Sequence, residues 1–435
     1  MRRSPRNLQI ACNHAGLTHF GGVYFLHEFI RVLHLRKYLA RSIGYVRRNH
    51  HYSLSQMILA LMYPIILGLD RLETSSFLRS NGTFQYLTGL PSFPDPQTLR
   101  RFLMQAPASF LEQLRRVNDR LLQRFLHLPH SRSRLIFDLD STVLTVFGHQ
   151  EKAEVGYNPR YRGKRSYHPL LCLESNSSYW WVLQLRPGNT GVWDGSLSLL
   201  DHGFSLVDSR IREVRLRADS SFMVEPVLRR LEDHGADYAV VARLTRSIKQ
   251  HLSGLHYQPH VRRWEVAEFN HQLQGWSRPR RFVVARRLMK EQDPQPTLFV
   301  LGRYVYRVWV TNLSLTPVGV WHFYDGRAAI EPRITELCED FALRRIPTHS
   351  FVANAIYHEI TRLAYNLVTA FQRTCLPEAW QNLTLQKLRY KLFFLPGELT
   401  RPHNRPVLRL KDSKFVSNLT NHILTRVYQL RPIRL

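Results

Sequence analysis

The sequence predicts an α/β protein: a mixed sheet with flanking helices, preceded by a helical N-terminal domain and interrupted by a β-rich insertion before its last helices. Three observations carry this expectation. Apolar residues recur at three- and four-residue spacings through the first part of the chain, as on helices. From residue 134 they gather instead into short aromatic and branched runs separated by helical stretches. A third stretch, 246 to 320, is again strand-like and too rich in apolar runs to be a loop.

Taken in order, residues 23–42, 54–68 and 97–126 are expected helices, with Pro91, Pro94 and Pro96 punctuating the turns before the last. Strands are expected at 135–139, 167–173 and 179–185, with Asn176 and Ser177 turning the chain between the last two. A helix at 193–203, a strand at 214–218, a helix at 222–234 and a strand at 238–241 complete the first part of the core. The insertion offers strands at 281–285, 298–301 and 304–311, with Pro-rich turns at 278–296. A helical part follows, from 321 to about 374. The expected domains are therefore 1–130 helical, 131–245 first part of the core, 246–320 insertion, 321–375 second part of the core and 376–435 a basic C-terminal segment.

The 435 residues carry 61 Lys and Arg against 33 Asp and Glu, a formal charge of +28, which is far more than solubility needs. The basic residues run along the whole chain instead of collecting in one cluster, which favours nucleic acid over a membrane surface as the partner. Gln97 to Leu103 opens one basic helix that suits either phosphates or plain solvent. Cys12, Cys172, Cys338 and Cys375 form no CxxC pair, so neither a zinc site nor a disulfide framework is expected. The apolar run 57–69 contains Pro64 and is too short to span a bilayer, and no signal-peptide pattern opens the chain, so a cytoplasmic, nucleoid-associated protein is expected.

Two strands end in carboxylates. Asp138-Leu139-Asp140-Ser141-Thr142 closes the first, and Arg217-Ala218-Asp219-Ser220 closes a later one, at the strand ends where α/β sheets hold ligands. Either aspartate alone could simply cap a turn. Asp138 and Asp140 point to the same side of their strand, so both remain candidates. A third element runs from Trp321 to Phe341. On a single helix at ~100° per residue, Tyr324, Arg327, Glu331 and Cys338 share a narrow face beside an apolar stripe of Phe323, Ile330, Ile334, Leu337 and Phe341. Glu336 is the alternative acid there, but it lies roughly 140° from Glu331.

Further basic residues sit in the 157–165 loop: Arg160, Arg162, Lys164 and Arg165, which suit phosphate contacts that position DNA without reading its sequence. Trp264 and Trp276, with Arg262, Arg263, Arg278, Arg280 and Arg281 nearby, offer either a base-stacking surface or core packing. His149 and His168 lack a ligand-spaced partner and are expected to be structural.

These residues resemble the DDE transposases of bacterial insertion sequences, most of all the insertion-sequence type 1380 group, related to the transposases with a Tyr-Arg-Glu-Lys signature. The resemblance rests on DLDSTVLTVFGHQE at 138–151, GYNPRYRGKRSYHPLL at 156–171, RPGN at 186–189, RADSSF at 217–222, the Tyr324, Arg327, Glu331 spacing, and LRYKLFFLPGEL at 388–399. It implies a ribonuclease-H-like core with Asp140, Asp219 and Glu331 as the catalytic acids, Asp140 being preferred because a small residue and Thr follow it. It also implies two Mg²⁺ or Mn²⁺ ions held by those acids, with Tyr324 and Arg327 on the phosphate of the transposon end. Hard oxygen ligands are what such ions prefer, and a two-ion site can activate the attacking oxygen and stabilise the leaving one. The implied reaction is cleavage and strand transfer at terminal inverted repeats, on double-stranded DNA ends and target, by a synaptic homodimer. A decayed DNA binder and a metal-dependent nuclease on the same fold are the alternatives. The sequence departs from the family at Cys338, where a Lys is expected, and at Pro332, which is expected to bend the helix carrying Glu331.

Overall fold

The structure, a computed structural model, describes residues 10, 12–45, 51–126, 133–260, 263–289 and 299–430. Arg262, Leu298 and the prolines at 294 and 296 lie outside the described residues. The chain divides into two compact units, one made of Met1–Phe102 with Ala370–Leu435 and the other of Leu103–Thr369.

The first unit begins with β1 (Leu17–Thr18), α1 (Val23–Val32), α2 (Leu35–Ser42), α3 (Leu54–Leu67), α4 (Gly82–Leu87) and the start of α5 (Pro96–Gln105). The single helix expected at 23–42 is two, because His34 takes a left-handed φ of 55° that no helix can continue through. Most of α3 is buried, as befits a helix apolar nearly all round. It is the run that looked too short to span a membrane, and among the described residues no helix is long and apolar enough to cross one. Ser53 and Gln56 close a capping box at its start, and Gly68, at φ 80°, ends it. Arg389 then donates to the carbonyls of Ile66 and Ile65 at 2.7 and 3.0 Å, satisfying acceptors the helix end leaves open.

In the second unit α6 (Ala108–Leu126) follows Pro107, which splits the helix expected at 97–126. The strands β2 (Arg134–Ser141), β3 (Leu144–Thr145), β4 (Glu154–Val155), β5 (Arg165–Tyr167), β6 (Leu170–Glu174) and β7 (Tyr179–Gln184) come next. After α7 (Ser196–Ser205) come β8 (Glu213–Ala218), α8 (Glu225–Asp233), β9 (Asp237–Val241) and α9 (Arg246–Leu252). The insertion contains β10 (Gln258–Pro259), β11 (Trp264–His271), β12 (Arg280–Leu288), β13 (Phe299–Leu301) and β14 (Tyr304–Thr311). It leads to α10 (Pro317–Asp325), α11 (Ile330–Glu339) and α12 (Phe351–Cys375), whose last residues belong to the first unit.

The large sheet has the order β10-β11-β12-β14-β9-β8-β2-β6-β7, with β13 beside β14. It is mixed: β2, β8 and β9 run parallel, while β6 and β7 fold back antiparallel. The insertion is not a separate sheet, because Trp309–Thr311 of β14 pair antiparallel with Ala239–Val241 of β9 and extend the core sheet. Alternation explains why it is buried on both sides. Phe282, Val284, Val308 and Val310 face one cluster with Phe137, Leu139 and Leu216, and Val283, Ala285 and Trp309 face another with Trp321. The strand expected at 167–173 is broken at His168-Pro169 and feeds two sheets, since β5 joins the small sheet β3-β5-β4.

Back in the first unit, the C-terminal segment holds α13 (Leu385–Leu388), β15 (Gly397–Thr400), β16 (Val407–Leu410) and α14 (Lys414–Gln429). The strands join β1 in the order β1-β15-β16.

Candidate active site

The parallel ladder between β2 and β8 ends at Leu139↔Ala218, so the next residues in register are Asp140 and Asp219. Two carboxylates therefore emerge together at the ends of neighbouring parallel strands, while the strands behind them are packed in the core. Asp138, two residues earlier on the same face, has a different fate. It is fully buried and takes Nε and Nη2 of Arg217 at 2.6 and 2.8 Å. Arg217 also donates to the carbonyl of Phe323 at 2.9 Å and to the Ser175 hydroxyl at 2.8 Å. Asp138 thus holds the arginine that ties the end of α10 to the strand ends.

Breaking such a buried pair from one side costs about 3–5 kcal/mol, because the other charge is left without its partner. Asp138→Ala is expected to lower the urea midpoint by a corresponding amount. A wild-type midpoint would return Asp138 to contention as the first acid.

The helix expected from 321 to 341 is not continuous. It breaks into α10, a 3-10 turn at Gly326–Ala329 and α11. Gly326 opens that turn, and Arg217 packs so closely against it that a Cβ there would collide with its Nη1. Pro332 stands third in α11, and the break at Gly326–Ala329 lies just before it, on the side where a proline ring crowds the preceding turn. Glu331 is exposed at the start of α11. Glu336 is buried and paired with Arg333 at 3.0 Å.

Arg327, on the turn, reaches Asp140 with Nη2 at 2.8 Å. Burial pushes the Asp140 carboxyl up to about 6 against the pull of Arg327, and the carboxylates of Asp219 and Glu331 push the same way as burial. All three acids therefore share one electrostatic neighbourhood. Tyr324 belongs to it too: burial raises its hydroxyl to about 12, opposed by Arg327 and reinforced by Asp219 and Asp140. Among the described residues, no group of three His, Cys, Asp or Glu side chains is drawn close enough to hold a metal ion. Asp219 and Glu331 act on Asp140 without converging on it, and Arg327 is the cation that Asp140 touches. The donor set is nevertheless of the kind a hard divalent cation takes, carboxylate oxygens without a soft ligand. Arg327 Nε is buried with no hydrogen-bond partner, a donor left over in a site rich in acceptors.

Asp219 opens onto a cavity of about 1010 Å³ that is also lined by Ser141, Thr142, His168, Arg160 and Arg344. Arg160 is the one residue of the basic loop in that lining; Arg162, Lys164 and Arg165 are exposed on the same stretch of chain.

A family model described as Transposase DDE domain group 1 matches residues 3–432, nearly the whole chain. The chain belongs to the DDE transposases. The enzyme is also similar to a solved structure, the cryo-EM structure of piggyBac transposase synaptic complex with hairpin DNA. The two are 13% identical with a TM-score of 0.42, over 87% of this chain and 81% of that one. No curated protein matches the transposase in sequence.

Residues of the transposase that the sequence left as structural or undecided take definite places. His168 lines the cavity, with Nδ1 3.3 Å from the Thr190 carbonyl and Nε2 3.2 Å from the Ser141 hydroxyl. Burial and Arg186 lower its pKa, so it is neutral, donating through Nδ1 and accepting at Nε2. Ser141 in turn donates its backbone N–H to Asp140 Oδ1 at 2.8 Å, so the histidine braces the residue beside the acid. Trp276 is buried against Phe282, and the Arg280 above it is held by Glu225 and Glu232. Cys338, where the Lys was expected, is buried beside Arg344. Arg344, paired with Glu339, and Arg345 line the cavity wall. The sequence signal for them was only two adjacent arginines after a helix.

Proposed function

We propose that this transposase cleaves DNA at the terminal inverted repeats of an insertion sequence of the type 1380 group and transfers the freed strand to target DNA. The observation that carries this reading is the emergence of Asp140 and Asp219 in register from adjacent parallel strands, with Arg327 on Asp140. The parallel strands beside an antiparallel pair support a ribonuclease-H-like core.

Asp140, Asp219 and Glu331 would hold two divalent ions, Mg²⁺ or Mn²⁺, which activate the attacking oxygen and stabilise the leaving one when bound. Arg327 and Tyr324 orient the phosphate. The buried, unpaired Nε of Arg327 is a donor for which a phosphate oxygen would be the acceptor, and the Tyr324 phenol adds a second donor. Arg160, Arg162, Lys164 and Arg165 hold the double-stranded DNA by its backbone, so their contribution weakens steeply with salt. Two ends have to meet in one reaction, for which a homodimer is the simplest assembly.

Purified protein incubated with a labelled duplex carrying the element's own end is expected to cut at that end with Mg²⁺ or Mn²⁺ and not in EDTA, and to join the cut end to target DNA. Binding without cleavage under any metal condition would leave a DNA-binding protein only. Cutting without joining would leave a nuclease.

A further inference from the structure

We infer that the rim of the cavity beside Asp219 is a stacking site for unpaired nucleobases of a DNA end; the inference rests on the DNA-cleaving function proposed above. Phe147 is 80% exposed, Tyr157 67% and Tyr161 42%, and all three line that cavity. A single exposed aromatic is ordinary, but three large ones on one rim form an apolar surface that a partner would cover.

The surface is built, not slack. Asn158 is buried between Tyr157 and Tyr161; its Nδ2 donates to Thr145 Oγ1 at 3.0 Å and its Oδ1 accepts from the Tyr161 N–H at 3.0 Å. The Tyr167 hydroxyl donates to the Glu151 carbonyl at 2.6 Å. Gly156 lies so close to the backbone of Gly188 that a Cβ would collide with its carbonyl oxygen. The aromatic rings are thus presented by a loop fixed at several points, which lowers the cost of ordering them against a ligand.

The chemistry around them selects the ligand. Arg160 lies over the Tyr161 ring at 5.6 Å, and Arg162, Lys164 and Arg165 are exposed on the same loop. Aromatic faces interleaved with cations suit a strand whose bases stack while its phosphates are neutralised. A closed duplex hides its base faces, so the ligand is unpaired nucleotides next to the phosphate that reaches Asp219. A purely apolar protein partner would gain nothing from the cations.

The test is fluorescence anisotropy of the full chain in EDTA, where no cleavage intervenes. It compares a blunt duplex with the same duplex bearing a short single-stranded extension that contains 2-aminopurine. The wild type is expected to bind the extended duplex more tightly and to change the 2-aminopurine emission. The triple variant Phe147→Ala, Tyr157→Ala, Tyr161→Ala is expected to lose about five-fold to about a hundred-fold in affinity for the extended duplex, at ~1–3 kcal/mol per stacked base. Its affinity for the blunt duplex should hold, and Tyr157→Phe with Tyr161→Phe should behave as wild type because the rings remain. Equal loss on both duplexes, or no loss on either, overturns the proposal. So does a triple variant with unchanged DNA binding but a smaller oligomer by light scattering, which would make the rim a contact between copies. If the wild type binds no DNA of either kind, the proposed function falls with it.

Discussion

Asp219→Asn is expected to reduce metal-dependent cleavage at the element's end to background while the melting temperature and DNA affinity stay at wild-type values. The side chain leaves β8 just beyond its ladder and is half-buried at the cavity wall. Among the described residues its side chain accepts one hydrogen bond, the Ser221 N–H on Oδ1 at 2.8 Å, which caps the short turn Ser220–Phe222. Asparagine keeps that oxygen, so the turn and the fold remain. What it removes is a full negative charge at the place where a divalent ion would bind. Loss of a single stabilising donor in an active site already costs on the order of 10²–10³-fold in rate, and loss of a ligand to the ion should cost at least as much. The measurement is a single-turnover cleavage rate in Mg²⁺ beside thermal melts of both proteins. A variant that cuts at the wild-type rate would remove Asp219 from the chemistry. For this purpose Asp219 is a cleaner probe than Asp140, whose charge is also engaged by Arg327.

How much of this could be read from the sequence depends on whether the signal was local. The acid-bearing strands were legible, because an apolar run ending in a carboxylate is a property of five or six neighbouring residues, and β2 and β8 stand close to where they were expected. Asp138 and Asp140 could not be separated by alternation, since both point the same way; their difference is made by Arg217, from another strand. The helical-wheel argument did not hold either. A wheel assumes one axis from Trp321 to Phe341, but the segment is interrupted by the 3-10 turn at Gly326–Ala329, where Arg217 packs against Gly326, so Tyr324, Arg327 and Glu331 do not lie on one continuous helix. Pairing across the sheet was invisible for a similar reason. The strands of the insertion were recognisable one by one, yet nothing within β14 announces that it pairs with β9. The C-terminal segment read only as basic because β15 and β16 are four residues each, too short for alternation to register.

Arg327→Lys is the substitution that distinguishes charge from shape at this site, and it is expected to lower the cleavage rate on the order of 10²–10³-fold with little change in DNA affinity. Lysine can still place one positive charge beside Asp140, so the acids keep a neutralising neighbour and the protein should fold as before. It cannot do two things at once. Arg327 spends Nη2 on Asp140 and retains a buried, unpartnered Nε on a rigid planar fork, whereas an ammonium is a compact point charge without that second fixed donor. If Nε grips a phosphate oxygen as the reaction proceeds, the lysine enzyme should bind DNA through its basic loop yet hold the scissile phosphate poorly. Its defect would then lie in the rate at saturating DNA and not in the dissociation constant. Arg327→Ala should share the rate defect and in addition destabilise the fold, because Asp140 loses its partner. Should Arg327→Lys cut as fast as wild type, the charge alone would suffice, and the orphaned Nε would have no part in positioning the phosphate.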